Sequence, residues 1–406
     1  MAGIEIPTEL QKKIEETGPV DLMVGVSGPA GEELCAKAAG SLHGIAAKTV
    51  VVYAGGEGSA PVSCPAPSIP LVAYPMRAAQ SSFPLWADIA LAQQSILALA
   101  AAWKVRACVM IQSDLAALNA ETIRLFAEPA LEGRSDLIMP VYPHGKYDGL
   151  ITKALLSPLS RALFGRRVRF PLAFDFCAGA KALAILTGHS SSHNGNGSHL
   201  MWPANAVAMR GGQIGQAAVN VQHSIQTGDL ELSAILAELA GSLFQEIETN
   251  AADWQRVRGS QPVSRYGGEF VLKHDAQPVD PRPMVESFVL GSRNLEEVWR
   301  LVLPPTTMLE LRRLARMSAE QFRMTDALWA RIVYDFALAH RMRRVSRSHV
   351  LGALTPLYLG WVASYTQEVG GATAEEAERR IEQLARVYEE QKPYFVSRWR
   401  WPERAS

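Results

Sequence analysis

The sequence predicts an α/β protein with a mainly parallel sheet followed by a helical half, and three observations predict it. Short β-rich runs alternate with helical apolar periods over the first half, which is the pattern of parallel strands joined by helices. Strand signals then nearly vanish and long helical periods take over. The chain of 406 residues also exceeds one ordinary core, so two domains are expected, 1–228 and 229–406.

The expected strands are 21–26, 49–54, 69–73, 107–112, 137–141 and 216–222. Most are short runs rich in Val, Ile, Leu, Met or Tyr, of strand length. Helices fit between them at 31–42, 85–103, 120–130 and 151–164. The second is apolar enough to invite a membrane reading, yet Asp88, Gln93, Gln94 and Ser95 interrupt it. Its Leu85, Ile89, Ala92, Ile96, Leu99 and Trp103 make one stripe, so a buried amphipathic helix explains it better than a membrane span. Ligands on such sheets sit beyond the carboxyl ends of strands, so the loops beginning at Ser27, Gly55, Ser113 and Tyr142 are expected to line one cleft.

In the second half, Asp229 opens a helix whose Leu232, Leu236, Leu239, Leu243 and Ile247 share a face. A Pro- and Gly-bearing segment, 259–283, reads as a loop wrapping the first domain. Helices follow near 294–303, 307–317, 326–341, 349–368 and 374–391. Thr373 with Glu376 makes a capping box for the last, and Lys392-Pro393 is expected to end it.

With 48% apolar and 20% charged residues and zero formal net charge, the chain reads as a folded soluble protein. Neutrality argues against nucleic acid, whose binders carry a basic field. Cys35, Cys64, Cys108 and Cys177 have neither disulfide nor metal spacing, and no signal-type apolar core opens the chain. A cytoplasmic location is the expectation.

The richest stretch is Met139-Pro140-Val141-Tyr142-Pro143-His144-Gly145-Lys146-Tyr147-Asp148-Gly149, running on through Pro158 to Asp175-Phe176. Residue by residue it is a strand end, a polar loop, an apolar helix and four arginines, a concentration of guanidinium suited to phosphate or carboxylate. The stretch resembles the acceptor-side segment of bacterial GT-A nucleotide-sugar glycosyltransferases of the mannosylglycerate-synthase-like group. The runs Ala327 to Phe336, Pro356 to Gly360 and Lys392 to Pro402 are similar to that group's helical extension, so the likeness spans most of the chain. It implies a GT-A fold, a Rossmann-like mixed sheet sandwiched by helices, with an all-α C-terminal domain that completes the cleft and is a candidate homodimer surface. The implied activity is hexose transfer from a nucleotide diphosphate sugar to a small polar acceptor, carboxylated or phosphorylated, with no membrane span.

The resemblance also places the site. The loop after Gly25-Val26-Ser27 would receive the nucleoside, and Arg166, Arg167 and Arg169 would engage acceptor anions. A divalent cation, Mg or Mn, is implied at an Asp-x-Asp pair closing the 107–112 strand, since a hard cation wants oxygen ligands beside a diphosphate. Here that pair reads Gln112-Ser113-Asp114, so one carboxylate is replaced by an amide. Asp114 and His223 are the implied metal ligands, with a loop aspartate and a surface histidine as the plain alternatives. Asp175 is implied to face the reacting sugar; its alternative is to cap a helix from Phe176 to Leu186. Phe170, Ala173-Phe174, Ser81-Ser82 and Trp202-Pro203-Ala204-Asn205 also depart from the group's pattern. A binding or scaffolding protein that kept the fold and lost transfer is therefore the second reading.

Overall fold

The computed structural model describes residues 6, 8–27, 42, 44–46, 48–56, 69, 71–76, 84–112, 120–190, 200–220, 231–269, 271–273 and 279–401. Its strands, in chain order, are β1 (Leu22–Ser27), β2 (Thr49–Gly56), β3 (Leu71–Met76), β4 (Ala107–Gln112), β5 (Leu137–Val141), β6 (His144–Gly145), β7 (Phe176–Gly179), β8 (Ile214–Ala218), β9 (Ser264–Tyr266) and β10 (Leu272–Lys273). The chain divides into two compact units. One comprises Met1–Pro143, Val168–Ser224 and Pro262–Val271, and the other His144–Arg167, Ile225–Gln261 and Leu272–Ser406. The units interleave in sequence instead of meeting at one cut after residue 228. The reason is long-range pairing: part of the expected wrapping loop adds β9 to the sheet beside β8, and 144–167 packs with later helices.

The first unit holds a sheet of order β3-β2-β1-β4-β7-β5-β8-β9. Its pairings are parallel except those of β7, which runs antiparallel to both β4 and β5. One face packs on α2 (Pro84–Ala102), α5 (Ala180–Ser190) and α6 (Pro203–Met209), with α1 (Thr8–Thr17) contributing Leu10. The other packs on α3 (Ala120–Leu131) through Ile123, Phe126 and Ala127. The sheet is thus mixed and sandwiched by helices, as the sequence analysis expects. Strand 107–112 falls where the sequence put it, and α2 is the buried helix its stripe indicates. No helix among the described residues is long and apolar enough to cross a membrane. The expected helix 31–42 lies outside the described residues, apart from Leu42.

One correction concerns the segment after Asp175. The segment 176–179 is strand β7 and not the start of a helix, so Asp175 caps no helix there. In the second unit the expected helix 151–164 is present, with a π-helical turn at Thr152–Leu156 leading into α4 (Ser157–Phe164). Pro158 has no N–H to offer the carbonyl four residues back. That carbonyl, of Ala154, accepts from Trp329 Nε1 at 2.9 Å and from the Tyr388 hydroxyl at 3.0 Å.

The rest of the second unit is helical: α7 (Leu232–Thr249), α8 (Ala251–Trp254), α9 (Arg282–Asn294), α10 (Glu296–Val302), α11 (Pro305–Leu314), α12 (Asp326–Met342), α13 (Arg347–Val369) and α14 (Ala374–Arg400). The capping box of α14 forms as expected. Pro393 does not end that helix, which runs on to Arg400. An internal proline costs about 3 kcal/mol, and aromatic packing beyond it offsets that cost. Phe395 stacks on Trp254 at 5.0 Å and on Tyr334 at 4.6 Å, and Trp399 meets Trp254 edge-on at 5.3 Å.

Candidate functional site

Within the first unit, β1 and β4 lie side by side in parallel register, and Ser27 is the partner of Gln112. Both strands therefore deliver their carboxyl ends to one place, where ligands of open α/β sheets bind. Gly25 allows the close packing behind this edge, because a Cβ there would lie 2.3 Å from Ile96 Cγ2 of α2. Val26 belongs to the apolar cluster on the α3 face. Gly25 and Val26, expected as donor contacts, are thus interior packing positions, while Ser27 and Gln112 are buried polar residues at the strand tips.

Asp175 sits immediately before β7, whose Phe176 pairs with Met110. Its carboxylate is 0% exposed. One oxygen accepts the main-chain N–H of Gln112 at 2.8 Å, and the other accepts the hydroxyl of Tyr142 just beyond β5. The expectation that Asp175 faces a sugar is corrected here: it is sealed inside the unit, and it fixes the backbone of the β4 tip. Hydrogen bonds to a charged acceptor contribute roughly 1.5–3 kcal/mol each, enough to hold a strand end in one position.

The segment leading into Asp175 is anchored as well. Gln93 Nε2 of α2 donates to the Phe174 carbonyl at 2.9 Å in a buried bond. Phe170 sets its ring edge-on to Tyr142 at 5.4 Å. The aromatic bulk at Phe170 and Phe174 therefore packs this support. Tyr142 and Gln93 are the residues that sequence reasoning passed over. Gln93 carried a signal, since an amide in a buried apolar helix needs a partner; Tyr142 had only its place at the start of a predicted loop.

Gln112 is the unusual member. It is 4% exposed, and its side-chain Oε1 is buried without a hydrogen-bond partner. An acceptor left so costs about 1–3 kcal/mol of stability. As the residue replacing the first carboxylate of the implied metal pair, it offers a neutral oxygen only. Asp114 and His223 lie outside the described residues, and among the described residues no group of three His, Cys, Asp or Glu side chains could hold a metal ion. Among the described residues the strand tip offers one neutral amide oxygen, from Gln112, beside the engaged carboxylate of Asp175. Cys108 and Cys177 add no ligand: both are buried and free, and burial pushes the Cys108 thiol up to about 12.

The arginines separate. Arg169 belongs to the first unit, where its N–H donates to Gln216 Oε1 at 2.7 Å. Arg166 and Arg167 belong to the second, where Arg166 bridges to Gln261 and Arg167 Nε donates to Ser260 Oγ at 3.0 Å. Arg161, the fourth of the run, is a buried clamp on Glu382 at 2.6 Å and Glu389 at 3.2 Å of α14. The cations of the polar loop are engaged too. Lys146 Nζ donates to the carbonyls of Val369, Gly370 and Ala372 at 3.0–3.3 Å, and Lys153 Nζ to that of Gly145. The crevice they share with His144 and Glu378 leaves no space for a water molecule.

No family model matches the chain, and no curated protein matches its sequence. Among solved structures it is similar to glucosyl-3-phosphoglycerate synthase from Mycobacterium tuberculosis in complex with Mn2+, UDP-glucose and phosphoglyceric acid. That match has 17% identity over 61% of this chain and 85% of the other, with a TM-score of 0.36. The same synthase in complex with UDP matches at 16% identity over 61% and 86%, TM-score 0.36. A mycobacterial protein matches at 16% over 59% and 76%, TM-score 0.35. The overlap is loose in each case.

Proposed function

We propose that this chain is a divergent member of the mannosylglycerate-synthase-like group of GT-A glycosyltransferases, moving a hexose from a nucleotide diphosphate sugar to a small polar acceptor. The observation that carries the reading is the paired tip of β1 and β4, ending at Ser27 and Gln112 with the Gln112 backbone pinned by Asp175. In this reading the donor lies across those two tips. Asp175 acts as a positioning residue, and Arg169, in the same unit, is the cation proposed for a carboxylated or phosphorylated acceptor. Asp114 and His223 would hold the divalent cation that the resemblance implies, supplying charge beside the diphosphate.

A thermal-shift panel of nucleoside diphosphates and their sugars, run with manganese, magnesium or EDTA and paired with an assay for sugar release from the donor, tests it. Saturable stabilisation by at least one nucleotide together with slow release of its sugar is expected. No response to any member of the panel would remove the reading. The amide in place of a carboxylate at Gln112 favours one alternative, a protein that binds the nucleotide sugar and does not transfer it. Stabilisation with no sugar release, alone or with candidate acceptors, is the outcome that selects it.

A further inference from the structure

Arginines collect at one end of the helical unit. The segments 251–258, 340–347 and 394–401 are rich in arginine and hold a single acid, Asp253, in a chain whose formal net charge is zero. All three lie in the second unit, and its packing brings them together. Trp254 packs against Phe395 and Trp399 of α14. Arg341 of α12 lies 4.3 Å over the Trp399 ring and donates to that residue's carbonyl at 3.0 Å, while Arg400 Nε donates to Gln255 Oε1 at 2.9 Å. Around this joint Arg256, Arg258, Arg341, Arg343, Arg344 and Arg400 are exposed. Trp401, at the end of α14, is 57% exposed, whereas Trp254 and Trp399 are buried.

The unit's own acids do not balance this surface. Glu248 is held by Arg347 at 2.7 Å and lies 3.9 Å from Arg343, and Asp335 is buried on Arg398. Asp253 is half-buried. The ends of α12 and α14 supply only about half a negative charge each. Cations crowded on one face repel one another, so the arrangement suits an anionic surface outside the protein. Strand-binding proteins stack successive bases on several exposed rings. A single exposed indole rimmed by guanidinium instead matches the headgroup layer of a bilayer, where Trp settles at the interface and each arginine adds attraction to anionic lipid.

We propose that this end of the helical unit docks on a membrane surface carrying anionic phospholipid, with the arginines against the phosphates and Trp401 in the headgroup layer. The attachment is peripheral, and it stands independently of the transferase reading.

The test is co-sedimentation of the full chain with vesicles of phosphatidylcholine alone or mixed with phosphatidylserine, at low and high salt, with tryptophan emission recorded alongside. Binding to the mixed vesicles, little to the neutral ones, and release by salt are expected. Arg256→Gln, Arg258→Gln and Arg344→Gln should each weaken binding about fivefold. Trp401→Ala should weaken it and remove the blue shift that vesicles cause in the wild type. Arg379→Gln, which removes an equally exposed cation from the opposite end of α14, should bind as wild type.

Failure to bind the mixed vesicles, equal binding to neutral ones, or an equal loss in Arg379→Gln overturns the inference. Tighter binding to a single-stranded RNA homopolymer, which then strips the protein from the vesicles, overturns it in favour of nucleic acid. Should the arginine variants lose their melting transition, the wild-type response to lipid charge and salt and the emission of Trp401→Ala decide the matter.

Discussion

Asp175 in the first unit and Asp335 in the second are both sealed from solvent, at 0% and 1% exposure, yet their partners differ in kind. Asp175 holds a main-chain N–H at a strand tip and the hydroxyl of Tyr142. Asp335, on α12, holds side chains of α14: the Tyr394 hydroxyl lies 2.9 Å from each oxygen and Arg398 Nε 2.7 Å from Oδ1. Arg331 and Arg398 each sit 5.6 Å from the Tyr394 ring centre. The helical carboxylate thus ties two helices together through a cation, whereas the sheet carboxylate shapes one stretch of backbone. A buried acid near a predicted site can therefore serve the site without touching a ligand.

Four experiments break or sharpen this contrast. The largest effect is expected from Asp335→Ala, which leaves Arg398 buried without its counter-charge and should destabilise the helical unit by about 3–5 kcal/mol; urea unfolding followed by circular dichroism reads it. Asp175→Ala should cost about 1–3 kcal/mol by orphaning the Gln112 N–H. Unlike Asp335→Ala, it should also abolish any nucleotide response in the thermal-shift assay. If both variants kept that response equally, Asp175 would have no positioning role.

The pH dependence separates the helical unit's own ionisable groups. Burial, outweighing Arg398 and Tyr394, pushes the Asp335 carboxyl up to about 7. Its contribution to stability is therefore full below its unfolded value near 3.8 and is lost as pH rises through about 7. Burial, with Arg347 and Arg343 adding to it, pushes the His340 imidazole down to about 3. Its contribution is full above its ordinary value of 6.5 and is lost as pH falls toward 3. The two slopes oppose one another between about pH 4 and 6.5. Relative to wild type, Asp335→Asn should be less harmful at pH 8 than at pH 4.5, and His340→Phe should gain at the acid end; urea midpoints at those pH values check both. The smallest effect is expected from Tyr142→Phe, about 1 kcal/mol for one of two bonds to Asp175, seen as a slightly lower melting temperature.

Much of the sheet was legible because its strands are short apolar runs bounded by polar turns. The parallel, helix-connected pattern of β1, β4 and β5 needed no further information. β7 was not legible: Phe176-Cys177-Ala178-Gly179 runs directly into an alanine-rich helix, and only antiparallel pairing with β4 and β5 makes it a strand. β9 was hidden in the same way inside a segment rich in turn residues. At the site, Gln112 and Asp175 were singled out from sequence, but their direct bond was not, because they stand 63 positions apart and nothing local records the contact.

By itself, then, the sequence determined strands β1, β2, β4 and β5, the stripe of α2, the cap of α14 and the amide that ends β4, since each follows from residue types within a turn or two of one another. Tertiary structure alone decided that Pro393 would be carried inside a helix by the rings beyond it, and that Arg161 would clamp Glu382 and Glu389 instead of meeting a ligand. It also decided that Asp175 would turn inward. In each case the deciding energy comes from groups brought together by the fold across long stretches of chain, and such energy leaves no mark on local periodicity.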